Sequence, residues 1–303
     1  MISARNVTVA IPFCNESLEE FQLAVKSLYA QSVTDWAALI LISDNARDEL
    51  VEAARAIDDP RVKVIHDGRR RGLAARLNEV ASMTRTTLLA RMDADDIMLP
   101  HRFEKELPVL ASGEVDLVSS RMACLTVDGA ITGEYREVPM PSGSLGHLKS
   151  GSISHPTVIA RTQWHRDNPY QAGLRAEDKE LWLRTADFST FEKVDEVLYL
   201  YRVPLGFNRD KAIGKAEGDF EVSWGHVQGL LPWHGQAKFW AVNHFKRALW
   251  RSPLGPTAWK VLHARHTTAP SKAEARDWAE AQAIVAATQV PGWTPVVSTA
   301  VPS

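Results

Sequence analysis

Cysteine is scarce, with Cys14 and Cys124 the only two in 303 residues. They form no CxxC pattern. That argues against a disulfide framework or a structural zinc site and agrees with a reducing cytoplasm. No window reaches 18 uninterrupted apolar residues, so no spanning helix is expected. The opening "MISARNVTVAIPF" runs almost directly into a strand-like segment and lacks a signal-peptide layout. The formal net charge of −2 gives no electrostatic reason to expect a nucleic-acid partner. Internal repeats and low-complexity segments are absent as well. Acid is missing locally: from Val222 to Ala273 there is no Asp or Glu. What remains is ordinary for a soluble globular chain, 45% hydrophobic and 24% charged.

Over the first hundred residues, strand and helix patterns alternate. Val7–Phe13 is β-branched and apolar. Ser17 with Glu20 three residues later is a capping-box pattern. It precedes Leu18, Phe21, Val25, Leu28 and Tyr29 at helical spacing. Trp36–Ser43 reads as a second strand, Asp48–Ile57 as a helix, "RVKVIH" as a third strand, "GLAARLNEVASM" as a helix and "TTLLARM" as a fourth strand. This alternation predicts an α/β fold with a parallel, doubly wound sheet, whose ligands bind beyond the carboxyl ends of the strands. Asp44 and Asp93–Asp96 lie at such ends and should share one rim. After residue 115 the pattern changes. "DLVSS" is a short strand, and Asp128-Gly129 marks a hairpin. "PMPSGSLGHLKSGSIS" reads as loop with one helical turn, and "HPTVIA" as a strand. Ala176–Asp187 is a helix with acids in its first turn, and "TFEKVDEVLYLYRV" a strand. From about residue 211 to 303 the chain reads as helical and Trp-rich.

The stretch "LLARMDADDIMLP" places Asp93, Asp95 and Asp96 within four residues. Extended backbone would put Asp93 and Asp95 on one side. Hard oxygen ligands suit Mg²⁺ or Mn²⁺, which complete their shell with water and phosphate oxygens. The competing reading is an acidic loop in which Asp95 or Asp96 caps the next segment. A third is a phosphatase with Asp93 as nucleophile. The residues alone leave these open.

The order "VTVAIPFCNE", "LILISDNARDE", "GLAARLNEV", "ARMDADDIMLPHRFEKEL", "ISHPTVIAR", "AEDKELWLR" resembles the bacterial, non-processive family 2 glycosyltransferases of GT-A fold, over about residues 7–203. The resemblance implies a GT-A domain over 1–210, with a nucleotide-binding half (1–115), an acceptor and catalytic half (116–210), and a helical region over 211–303. It implies Pro12 and Asn15 at the donor, Asp44 at the uracil base, Asp93 at the ribose and diphosphate, and Asp95 as the metal ligand. Glu177-Asp178 matches the family's catalytic pair, with Asp178 as base. A UDP-sugar donor, a Mn²⁺ or Mg²⁺ cofactor, and transfer with inversion to a glycan, lipid-linked or small-molecule acceptor follow as expectations. The alternative is a nucleotide-sugar-binding partner subunit with little catalysis, since Ser43 replaces the first of the family's acidic pair. The QxxRW element of processive synthases is absent, so single-sugar transfer is expected. A late His that often adds a metal ligand is replaced by Pro204, so the metal either rests on Asp95, diphosphate and water alone or gains His226 or Asn208 as a substitute ligand.

Weaker candidates accompany these. Arg71 could reach phosphates or be a solvated turn. His155 could border the sugar, and Asn78 could be a hydrogen-bonder near the donor pocket. Trp182 and Trp164 could stack on a sugar or pack in the core. Seven of ten tryptophans lie between Trp224 and Trp293. They either fill a core between small helices or form a basic, aromatic face for peripheral membrane contact.

Overall fold

The computed structural model describes residues 3–136, 138–150, 153–203 and 206–294. Ten strands among them join in one sheet: β1 (Val7–Phe13), β2 (Ala38–Ser43), β3 (Val62–Ile65), β4 (Leu88–Arg91), β5 (Ile97–Met98), β6 (Leu117–Thr126), β7 (Ile131–Tyr135), β8 (Ile159–Arg161), β9 (Phe191–Val203) and β10 (Thr267–Thr268). The order is β10-β7-β6-β8-β4-β1-β2-β3, with β9 paired to β6 and β5. β1 pairs in parallel with β2 and β4, and β2 with β3. Helices α1 (Leu18–Tyr29), α2 (Asp48–Arg55) and α3 (Leu73–Met83) connect these four strands. Crossovers of that length permit parallel neighbours. Beyond β4 the sheet turns antiparallel through β8, β6 and β7. The short turn around Asp128 and Gly129 (φ +84°) allows nothing else between β6 and β7. The sheet is therefore mixed, and its parallel half is the predicted one.

Every residue of β1 is buried. Val7, Val9, Ile11 and Phe13 pack with Phe21, Val25 and Leu28 of α1 and Leu50 of α2. Ala10, on the opposite face, packs with Ile40, Ile42 and Val80. Each fully buried Val, Ile or Phe contributes about 1.5–3 kcal/mol. Ser17 and Glu20 form the predicted reciprocal cap: Glu20 N–H donates to Ser17 Oγ at 3.2 Å, and Ser17 N–H to Glu20 Oε2 at 2.8 Å. The strand order reverses at β1, with β2 and β3 on one side and β4 on the other. The crevice beyond the carboxyl ends of β1 and β4 is thus the binding position of this topology.

Two elements differ from the sequence pattern. "HPTVIA" begins with a 3-10 turn, His155–Thr157, and only Ile159 and Ala160 of it belong to β8. Pro156 carries no N–H for a sheet ladder, which favours the turn. "DLVSS" and the first arm of the hairpin form one ten-residue strand, β6, because β9 lies along its whole length. The remaining helices are α4 (Arg102–Leu110), α5 (Gly143–Lys149), α6 (Thr162–Asp167), α7 (Glu177–Thr185), α8 (Arg209–Leu230), α9 (Trp233–Arg251), α10 (Gly255–His266) and α11 (Lys272–Ala287). α8 packs on α7 and carries α9, and α11 returns to α1. A Cβ at Gly218 of α8 would stand 2.7 Å from Arg175 Cβ. The missing side chain lets α8 press against the segment that leads into α7. Among the described residues, no helix is long and apolar enough to cross a membrane.

Candidate functional site

β4 delivers the acidic loop to the crevice. One oxygen from each of Asp93, Asp95 and Asp96 lies within 4.8 Å of the others. Arg91 Nη2 donates to Asp93 Oδ1 at 2.6 Å, and the Asp93 N–H donates to the Tyr199 hydroxyl at 3.1 Å. Asp96 is fully buried. Its Oδ1 accepts the Arg202 N–H at 2.7 Å, and the Tyr199 hydroxyl lies beside the carboxylate. Arg202 Nε also donates to the Asp95 carbonyl at 2.6 Å. β9 supplies Tyr199 and Arg202 because it pairs with β5, where Ile97 stands opposite Leu200.

Electrostatics follow from this crowding. Burial, then the charge of Asp93, raises the Asp95 carboxyl to about 6. Burial and both neighbouring acids raise Asp96 well above the usual range. A hard divalent cation at the loop would relieve the excess of negative charge. The all-oxygen donor set fits Mg²⁺ or Mn²⁺ better than Zn²⁺. Asp93 and Asp95 are the partly exposed pair, with Asp96 beneath them.

Asp44, at the end of β2, organises the neighbouring part of the rim. Its carboxylate accepts the N–H groups of Arg71 at 2.6 Å and Gly72 at 3.1 Å. Arg76, fully buried, reaches Asp44 at 3.3 Å, Asp67 at 2.6 Å and Glu79 at 3.0 Å. Arg76 holds the Asp67 carboxyl well below its usual range. The Arg71 guanidinium is paired to Asp67 at 2.6 Å and remains partly exposed. Pro12 is buried in β1 opposite Ile42, so it shapes the strand end, whereas Asn15 is exposed on the following loop. Asn78 exchanges two hydrogen bonds with the Tyr170 backbone, at 2.8 and 2.9 Å.

α7 brings the third group. Asp178 sits in its first turn, with its side chain 38% exposed and its Oδ2 3.9 Å from His155 Nδ1. His155 is buried, and its Nε2 lies 2.9 Å from the Tyr170 hydroxyl. Burial, then the charge of Arg91, pushes its pKa well down. The imidazole facing Asp178 is therefore neutral. Burial raises Glu177. Arg91, 4% exposed, has no partner for Nε and Nη1 among the described residues and feels the charges of both Asp93 and Asp178.

Some expectations take another form. Trp182 is buried, lies nearly parallel to Trp164 (6.3 Å, 16°) and meets Phe191 edge-on. Both indoles pack in the core, the second of the two readings their positions allowed. Pro204 lies outside the described residues. Asn208 is engaged as the N-cap of α8, accepting the Lys211 N–H at 2.9 Å, and the carboxylate cluster includes no histidine. Sequence reasoning missed Arg91, Arg76, Tyr199 and Arg202. The signal for the last two was a run of polar tips along "YLYR". Arg91 and Arg76 gave none beyond a charge inside an apolar pattern.

The comparisons with known proteins agree with this geometry. The family model described as Glycosyl transferase family 2 matches residues 8–177. An uncharacterized glycosyltransferase of Methanocaldococcus jannaschii, MJ1057, is 25% identical over 216 residues, covering 69% of this chain and 73% of its own. The O-antigen biosynthesis glycosyltransferase WbnJ of Escherichia coli is 24% identical over 196 residues, covering 60% and 73%. Among solved structures, the mannosyltransferase PcManGT of Pyrobaculum calidifontis, in complex with GDP-Man and Mn²⁺, superposes with a TM-score of 0.60 at 15% identity, covering 93% of this chain and 85% of its own. S. aureus TarS 1–349 in complex with UDP-GlcNAc gives 0.55 at 18% identity, covering 91% and 79%. These structural likenesses establish the GT-A fold. By the family match across more than half its length, the chain belongs to glycosyl transferase family 2.

Proposed function

We propose that this glycosyltransferase moves one sugar from a nucleotide diphosphate donor, a UDP-sugar, to an acceptor hydroxyl with inversion. The observation that carries the reading is the convergence of Asp93, Asp95 and Asp96 at the end of β4, with Arg91 bonded to Asp93 and within electrostatic reach of Asp178 on α7. Asp44 and Asn15 lie at the nucleotide end, where the base would sit. Asp95, with Asp93 beside it, would hold Mn²⁺ or Mg²⁺ against the diphosphate. The bound cation supplies Lewis-acid stabilisation of the charge that develops on the leaving diphosphate. Asp178 takes the proton of the attacking hydroxyl, and neutral His155 beside it leaves that carboxylate free to do so. One base opposite the leaving group gives a single displacement, hence inversion.

The TarS complex with UDP-GlcNAc supports a UDP donor, and the PcManGT complex supports a divalent cation. WbnJ and an amylovoran biosynthesis glycosyltransferase of Erwinia amylovora, AmsE, support a growing polysaccharide as acceptor. The free thiols of Cys14 and Cys124 suit a cytoplasmic setting.

Release of UDP from a panel of UDP-sugars, with and without glycan acceptors, tests the assignment. Asp178→Asn should lower kcat about 10²–10⁴-fold while the donor KM stays nearly constant. If Asp178→Asn has the activity of the parent chain, Asp178 is not the base. A parent chain that binds UDP without turnover on any acceptor is a binding subunit instead.

A further inference from the structure

α9 is apolar on both sides. Its inner side carries Phe239, which stacks near Phe220 and Trp224 of α8, and Trp250, which is buried against Phe207. Arg247 lies over the Phe220 ring at 4.7 Å. That side accounts for the fixing of α9 to α8. The side flanking it carries Trp233, Ala237, Trp240, Ala241, Phe245 and Ala248, all exposed, with Trp240 stacked on His244 at 3.8 Å. The spacing i, i+4, i+7, i+8, i+12, i+15 makes them one stripe on a helix. Exposure reaches 79% at Trp233, 49% at Trp240 and 70% at Phe245. Isolated exposed apolar residues need no explanation, but three large aromatics on one stripe do.

The charge of the segment that carries the stripe favours one kind of occupant. From Val222 to Ala273 the chain has seven Lys and Arg and no Asp or Glu, although its net charge is −2. Lys238 on α9 and Lys260 and Arg265 on α10 are exposed. Among the described residues they make no ion pair. A second copy of the chain meeting this face would juxtapose like charges, which opposes self-association. An anionic lipid surface instead offers headgroups to the cations and an acyl boundary to the aromatics. The length and hydropathy of α9 exclude spanning and leave lying in the interface.

We infer that the outward face of α9, with the basic residues of α10, docks this glycosyltransferase on an anionic membrane surface. α8 links α9 to α7, so docking would hold the helix of Asp178 near that surface. The inference stands on the C-terminal helices and is independent of the donor assignment.

The test is co-sedimentation of the full chain with phosphatidylcholine vesicles, with and without phosphatidylglycerol, at low and high salt. Binding should require phosphatidylglycerol and weaken with salt. Trp233→Ser/Trp240→Ser/Phe245→Ser should lose at least about tenfold in partitioning. Lys238→Ala, Lys260→Ala and Arg265→Ala should each lose about fivefold where the cation reaches the headgroups. Thermal melting and UDP binding of the triple variant should match the parent, showing that the fold and the donor site survive. Absence of vesicle binding, or equal binding to neutral vesicles, overturns the inference. So does a concentration-dependent dimer that the triple variant abolishes, since a second copy would then be the occupant.

Discussion

Arg91 is bonded to one acidic motif and lies within electrostatic reach of the other. It bonds Asp93 at 2.6 Å, and its charge reaches Asp178 and Glu177. Arg91→Met should lower kcat/KM about 10- to 100-fold, the equivalent of the roughly 1.5–3 kcal/mol of a hydrogen bond to a charged group. Arg91→Lys keeps the charge and should recover part of the loss. Steady-state kinetics with a melting curve for each variant checks this, and full activity in Arg91→Met contradicts it. The aspartates were legible in the sequence because three acids after an apolar strand need a physical reason. Arg91 was not, because a single cation at a strand end looks like any surface residue. Trp182 shows the converse: a ring one turn from Asp178 could face the cleft, and only packing shows that it lies against Trp164.

At the level of elements, α4 anchors the acidic loop from below. Arg102 and Glu106 are both fully buried and pair at 3.0 Å. Arg102 also donates to the carbonyls of Thr157 at 2.7 Å and Arg91 at 3.3 Å. One side chain thus ties β4 to the turn that holds His155. Arg102→Met would strand Glu106 without its cation and should cost about 3–5 kcal/mol of stability. Denaturant unfolding measures this, and a loss below about 1 kcal/mol would show that the pair is dispensable. The parallel half of the sheet was legible because each connection is a periodic helix between apolar strands, the first with its own cap. The second half was less so. A hairpin and a long edge partner extend β6, and neither β9's pairing with β6 nor its pairing with β5 leaves a local trace.

For the molecule as a whole, buried histidines set one side of its pH dependence. Burial holds His165 at about 4, against 6.5 for the free imidazole. The unfolded chain therefore takes up the proton first as pH falls. This contribution to stability is intact above pH 6.5, and its loss reaches about 1 kcal/mol by pH 5.5 and about 3 kcal/mol by pH 4. Burial raises Asp95, Asp96 and Glu177, which act in the opposite direction. The difference between the parent chain and His165→Gln isolates the imidazole. Melting curves should converge as pH falls from 7 to 5, and a constant gap would contradict the assignment. The rim as a whole carries Asp44 after β2, the aspartate loop after β4 and Asp178 on α7. Calorimetry of UDP with Mn²⁺, with Mg²⁺ and with EDTA tests the central claim, that this rim is the donor site, most directly. Binding should require the cation and collapse in Asp95→Ala. Cation-independent binding, or binding unchanged in Asp95→Ala, would contradict a metal–diphosphate clamp at Asp93 and Asp95.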